Sequence, residues 1–525
     1  MKLTPALKAL IKAPFLALAA VIFGLALSAL LLLTNFLIHL ILGAEHSVAS
    51  GVVVFGAKHL PIALGMLGFI AAFISVDVTT AVFGTARWAN KRELKQLTAG
   101  DEGLLIGRDP TTDQLLRYDG PAHLLTMAPT RTGKGVGTAI PNLLTADRSI
   151  ICIDPKGENA QIAGQARERF GPVHVLDPFE VTGQKSSAYN PLDMLDPDGL
   201  DLAEDASTLA DALVYDEPGT GGEAHWNEEA KALIAGLILK IFVAESPGRR
   251  HLGTLREYLT LAPERFLVLM ARMQDMDEAN GLIARTANRH LGKSDREAAG
   301  VLSAAQRHTH FLDSPRMTAV LSRSDFGFAD LKRRSVSIFL VLPPDRLSTY
   351  ARWLRLLVSQ SLAAMARERA IPRRPVLYLL DEFAALGHLA PVERAMGLMA
   401  GYGVQLWPIL QDIHQLRATY GRRAGTFLSN AAVLQVFGVN DIETAELIAR
   451  TIGKADVNYI TQSWSKNVTS SAEHIAVRDL INADEILRLS ASKMILLRQG
   501  QLPAVASKIR YFEDKEFTGL FPPAP

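Results

Sequence analysis

Apolar and polar positions along this chain follow three successive patterns. At the front, residues 14–42 contain no Asp, Glu, Lys or Arg, and a second apolar run covers about 61–83. Each is long enough for the roughly 20 helical residues that cross a bilayer with some tilt. Two transmembrane helices are therefore expected, at about 15–42 and 61–83. Lys2, Lys8 and Lys12 precede the first run, and Arg87, Lys91, Arg92 and Lys95 follow the second. The loop between them carries only Glu45 and Lys58 as full charges. Basic flanks stay on the cytoplasmic side, which places both ends of the chain there. A cleaved signal peptide fits less well, because the first run is too long and a second follows it. Asp77, toward the inner end of the second span, is expected to reach headgroup water.

From residue 100 the pattern changes to strands alternating with helical stretches. Leu104–Ile106 and Leu115–Tyr118 predict a hairpin around Asp109-Pro110. Further strands are expected at about 122–127, 149–154, 173–177, 335–341, 376–380, 404–410 and 432–437, each bounded by turn residues. Such alternation marks a mostly parallel sheet covered on both faces. Between about 196 and 325 the strand signals vanish. Apolar residues there recur at helical spacing, as in Trp226 to Leu237, so an all-helical insertion is predicted. Its acidic, Gly-rich entry, Asp216 to Glu223, reads as a flexible loop.

Candidate chemistry sits at three strand ends. Residues 123–137 read as a strand, a turn and a helix start built around Gly133-Lys134. Unpaired amides at a helix start carry partial positive charge, so Ala128, Pro129, Thr130, Arg131, Thr132, Gly133, Lys134, Gly135 and Val136 form a candidate phosphate cradle. Lys134 adds a point charge. The standard pattern has a Gly at the start of the loop and a Mg²⁺-binding hydroxyl after the Lys, where Ala128 and Gly135 stand here. The second strand, Val376 to Leu380, ends in Asp381 and Glu382. Asp381 can hold Mg²⁺ or its water, and Glu382 can deprotonate the water that attacks a γ-phosphate. Taken alone, Asp381 would better suit a helix N-cap; together with Lys134, the pair points to nucleotide hydrolysis. The third strand, Val404 to Leu410, ends at Gln411, a candidate γ-phosphate sensor facing the ligand crevice.

Composition narrows the field. The 525 residues exceed one compact core, and a single cysteine, Cys152, excludes an intrachain disulfide framework and a cysteine-rich metal site. With 55 basic against 54 acidic residues there is no global attraction to nucleic acid, so any DNA contact must be local. Lys332-Arg333-Arg334, Arg373-Arg374 and Arg422-Arg423 are candidates, although paired basic residues are usually solvated loops.

The order of motifs resembles that of the type IV secretion coupling proteins, a TraG-like family of membrane-anchored conjugal transfer ATPases. The resemblance rests on Gly84 to Ala89, the loop ending Gly133 to Gly137, and Asp154-Pro155-Lys156-Gly157-Glu158. It extends through Tyr189 to Leu192, Leu380 to Phe383 with Leu386-Gly387, Ala400 to Gly403 before Gln411, and Arg478 to Ile481 with Asp484 to Ile486. It implies an α/β P-loop NTPase of RecA-like fold with an inserted all-α domain and two N-terminal transmembrane helices. Four segments are expected: a membrane anchor, 1–84; a nucleotide-binding domain in two parts, 85–195 and 326–525; and the insertion, 196–325. By the same resemblance the chain uses ATP and Mg²⁺, with Lys134, Asp381, Glu382 and Gln411 as catalytic residues and Asp381 on the metal. It would sit in the bacterial inner membrane as a homo-hexamer and pass single-stranded DNA with its relaxase, or effector proteins, to a type IV channel. An arginine would act across each subunit interface, with Arg394, Arg417, Arg422 and Arg423 as candidates. A nucleotide-binding scaffold with little hydrolysis and a chromosome-segregation DNA pump are the alternatives.

Overall fold

The computed structural model describes residues 84–98, 100, 102–214, 224–465 and 468–523, with scattered positions between 18 and 64; side chains of 462–473 are not described. No helix among the described residues is long and apolar enough to cross a membrane. Of the two expected spans, the first is described in pieces, helical over 20–30, and the second lies almost wholly outside the described residues. Asp77 and the loop Asp216 to Glu223 also lie outside them.

Residues 86–454 and 478–525 form one compact unit. Its centre is an 11-stranded sheet in the order β2-β1-β13-β12-β9-β3-β8-β7-β4-β6-β5. The strands are β1 (Leu104–Arg108), β2 (Leu115–Tyr118), β3 (His123–Met127), β4 (Ile150–Asp154), β5 (Val173–Leu176), β6 (Ser337–Val341), β7 (Val376–Leu380), β8 (Val404–Leu410), β9 (Ala431–Val436), β12 (Lys493–Arg498) and β13 (Ala504–Ser507). From β9 to β5 every pairing is parallel. The other edge, β12, β13, β1 and β2, is antiparallel.

The parallel strands read as continuous apolar runs because both faces are covered. Alternation survives inside them. Leu125, Ile151, Ile153, Tyr378 and Leu380 join one buried cluster, and Leu124, Ile150, Cys152, Leu377 and Leu379 join the other. Cys152 is a buried free thiol. The first cluster continues into the helical segment between β5 and β6, including Leu233 and Leu237 of the helix Ala224–Ala244. No strand occurs in that segment among the described residues. Its two ends meet: Ala188 N donates to Asp325 Oδ2 at 2.8 Å and Asp325 N to Ala188 O at 3.0 Å.

Four strands occur beyond those that periodicity predicts. Two of them, β12 and β13, extend the main sheet. The other two, β10 (Lys454–Ser465) and β11 (Val468–Asp479), form a separate two-stranded sheet. The hairpin residues 455–477 belong to a second compact unit together with 1–85. There Thr85 bridges Ala455, Gly84 N donates to Asp456 Oδ1 at 2.7 Å, and the Tyr459 ring stacks on His474 at 5.3 Å.

Candidate functional site

In a parallel sheet all strands point one way, so their C-terminal ends share one edge, where ligands bind in open α/β folds. The strand order sets β8 between β3 and β7. The loop after β3 and the acidic pair after β7 thus flank Gln411, which follows β8. Ala128 N donates to Leu410 O at 2.8 Å, which fixes the start of the loop beside Gln411. The Gln411 amide donates to Gln415 Oε1 at 3.0 Å, and Asp412 next to it caps the helix Ile413–Tyr420.

The loop from Ala128 turns through Arg131 at φ 65° and Gly133 at φ 90° before a π-helical turn, Gly135–Ala139, leads into the helix Ile140–Thr145. Gly137 N donates to Gly133 O at 2.8 Å, and the Thr132 hydroxyl donates to Pro129 O at 2.6 Å. A Cβ placed on Gly133 or Gly135 would meet nothing within 4 Å, so open space lies beside both.

Lys134 reaches across to the acidic pair. Its Nζ lies 3.1 Å from Asp381 Oδ1 and donates to Glu382 Oε1. Burial would lower the Lys134 pKa, but Asp381 and Glu382 outweigh it and raise it above the ordinary value. Burial of Asp381, with Glu382 beside it, raises the Asp381 carboxyl despite Lys134. Glu382 occupies the left-handed region at φ 53°. Such a conformation costs a non-glycine residue of order 1 kcal/mol and recurs at functional sites. Asp381 does not cap a helix: besides Lys134, its Oδ1 accepts the adjacent Glu382 amide, at 3.0 Å, and the short 3₁₀ turn Phe383–Leu386 has no side-chain cap. The sequence-predicted loop, Lys134, Asp381, Glu382 and Gln411 are therefore brought to one sheet edge.

Two further residues belong there. Asp154 ends β4, whose Ile153 pairs with Leu380, so it lies beside Asp381. It is 1% exposed, accepts Ala160 N at 2.8 Å, and is pushed up to about 6 by burial. Its sequence signal was a carboxylate at a strand end. Lys508, past the unpredicted β13, donates to Thr132 O in the loop at 2.9 Å. Burial, with Arg510 nearby, pulls its ammonium down to about 8.

The basic clusters are largely engaged with acids. Arg373 and Arg374 pair with Glu102, Arg374 also with Asp119, Arg333 with Glu368 and Arg334 with Asp330. Among the arginines considered for an interface, Arg417 pairs with Glu443 and Arg423 with Glu393.

The family model for type IV secretory system conjugative DNA transfer matches residues 87–522. This chain belongs to that family. Among conjugative DNA transfer proteins it is similar to the conjugal transfer protein TraG of Escherichia coli, 28% identical over 457 residues, covering 78% of this chain and 72% of TraG. It is similar also to VirD4 of Rhizobium radiobacter, 29% identical over 470 residues, covering 83% of this chain and 65% of VirD4. The fold is that of the bacterial conjugative coupling protein TrwBdeltaN70, with TM-score 0.64 and 19% identity, covering 82% of this chain and 93% of that one. A second TrwB structure, in complex with ADP and Mg²⁺, matches with TM-score 0.62 over 82% of this chain and 94% of that one.

Proposed function

We propose that this family member is the coupling ATPase of a type IV secretion or conjugation system, which drives single-stranded DNA with its relaxase, or effector proteins, into the channel by ATP hydrolysis. The observation that carries this reading is the meeting of Lys134 with Asp381 and Glu382 beside a loop with open space at Gly133 and Gly135. Lys134 and the loop amides bind the phosphates, Glu382 takes the proton from the attacking water, and Gln411 contacts the γ-phosphate or that water.

The residues present fit Mg²⁺ as a phosphate-borne ion. No group of three or more His, Cys, Asp or Glu among the described residues could hold a metal by itself. Mg²⁺ is commonly held by one or two carboxylates, substrate phosphates and water, and Asp381 supplies a carboxylate here. With Gly135 lacking a hydroxyl, Asp381 would be the protein group that holds the ion, together with substrate phosphate and water. When bound, the ion neutralises charge that develops on the phosphates.

Residues 85–195 and 326–525 form the nucleotide-binding domain, and 196–325 the inserted all-helical domain that receives cargo. The first 84 residues anchor the chain in the inner membrane through two spans, with both termini cytoplasmic. The working form is a homo-hexamer in which Arg394, Arg417, Arg422 or Arg423 completes a neighbour's site.

Two variants test the chemistry. Lys134→Ala should abolish ATP hydrolysis and cargo transfer while membrane insertion persists. Glu382→Gln should still bind ATP but lose turnover by about 10²-fold or more, because removal of a general base spares the phosphate contacts. Wild-type transfer by Lys134→Ala would rule out the motor. Transfer that persists in Glu382→Gln without turnover would favour a nucleotide-binding scaffold.

A further inference from the structure

The loop after β3 is held from behind by the C-terminal segment. Lys508 Nζ donates to the carbonyl oxygens of Thr132 and Phe437, each at 2.9 Å, and lies 4.9 Å from the centre of the Phe437 ring. Phe437 N in turn donates to Met127 O at 2.9 Å, so one ammonium ties the loop to the ends of β3 and β9. The same segment presses on the helix start: a Cβ on Gly137 would meet Ile509 O at 3.1 Å and the Phe437 ring at 3.2 Å.

The bond to Thr132 has a directional consequence. In a trans peptide the C=O and the next N–H point to opposite sides of the chain. A cation that draws the Thr132 carbonyl toward β13 therefore turns the Gly133 N–H the other way. Gly133 stands at φ 90° beside open space, and its own carbonyl is taken by Gly137 N at 2.8 Å. Both carbonyls immediately before Lys134 are thus held, and the amide between them is left to face a ligand. An uncharged apolar side chain at 508 could pack on Phe437 but could not hold two carbonyls at once.

We propose that Lys508 is a positioning residue for the phosphate loop: through the Thr132 carbonyl it keeps the Gly133 amide directed at the phosphates of bound nucleotide. This role rests on the nucleotide reading of the site given above. It gives the C-terminal segment a function in ATP binding from behind the loop.

The test uses full-length protein in detergent. Lys508→Met keeps the apolar stem and removes the donors; it should raise the KM for ATP and the Kd for ADP about tenfold while kcat changes less than about twofold. Lys508→Arg, which keeps the charge and donors, should recover much of that affinity. Amide exchange over residues 131–135 without nucleotide should quicken in Lys508→Met while the helix Ile140–Thr145 keeps its protection. Wild-type KM and exchange in Lys508→Met would overturn the role, as would equal loss in Lys508→Arg and Lys508→Met. Should Lys508→Met fail to fold, Lys508→Gln and Lys508→Arg decide the matter by the same Kd for ADP. Loss of ATP binding in Lys134→Ala with no change in Lys508→Met would sink only the positioning role. Unchanged ATP binding in Lys134→Ala would sink the nucleotide reading and this role with it.

Discussion

Individual residues at the sheet edge depart from what their types prefer. Arg131 and Glu382 adopt left-handed backbone, Asp154 is a buried carboxylate and Asp381 a partly buried one. Such departures persist only where surrounding structure enforces them. His123 shows how packing under the site sets chemistry. It is 2% exposed, its Nε2 meets Ala395 O at 3.1 Å, and its Nδ1 accepts Leu406 N at 3.0 Å. An accepting Nδ1 requires the neutral ring, and burial lowers its pKa to about 4, against the pull of the Ala395 carbonyl. The unfolded chain takes up this proton below about pH 6.5, so between the two values the unfolded state holds more protons and stability rises with pH. Acidification from pH 7 to 5 should therefore cost about 2 kcal/mol through this ring alone. Thermal midpoints at the two pH values should differ less in His123→Gln than in the wild type. An unchanged difference would show that His123 is not responsible.

At the level of elements, polar side chains stitch helices to strands in ways that amphipathicity does not reveal. Asn142, on the helix that opens at the loop, accepts Leu105 N at 2.7 Å and donates to Leu105 O at 2.9 Å, which locks that helix to β1. Arg167 closes the helix Glu158–Arg167 and is fully buried. Its guanidinium donates to Ala146 O and Arg148 O at 2.6 Å, to Leu143 O at 3.2 Å and to Ser337 Oγ at 2.7 Å. It thereby satisfies the Leu143 carbonyl in the last turn of the helix Ile140–Thr145 and the Arg148 carbonyl in the turn beyond it, whereas Ala146 O also accepts Arg148 N at 3.0 Å. Arg167→Leu would strand them in an apolar setting, at a cost of roughly 3 kcal/mol or more. A marked fall in the thermal midpoint is expected, and a midpoint within error of wild type would refute the capping role. In sequence Arg167 reads as one more solvated charge on a short helix, and only the neighbouring carbonyls distinguish it.

For the whole molecule, the helical segment between β5 and β6 leaves and re-enters at the paired residues Ala188 and Asp325. Its exchange for the matching segment of a relative that serves another channel should redirect cargo while ATP affinity stays near wild type, because Lys134, Asp381, Glu382 and Gln411 lie outside it. The chimera must keep the face that shares the sheet's core and the pairing of Asp205 with Arg367. Transfer assays against both cargoes check this. Unchanged cargo choice would place recognition elsewhere, and lost ATP binding would show that the segment supports the site.

Sequence alone determined the parallel-strand segments and the three motifs that end β3, β7 and β8, because apolar periodicity and turn residues are local and survive without knowledge of neighbours. It located the helical segment for the same reason: Trp226 to Leu237 lies within the helix Ala224–Ala244. It did not reveal β10 to β13. In the first two, polar residues such as Asn458, Thr461 and Ser463 interrupt the apolar signal, and the last two are short strands stabilised by antiparallel neighbours. Tertiary structure alone decided that β8 lies between β3 and β7, that Lys134 meets two carboxylates about 250 positions away, and that Lys508 reaches the loop from the far end of the chain. Those contacts depend on strand order and close approach between distant segments, which local propensity does not encode.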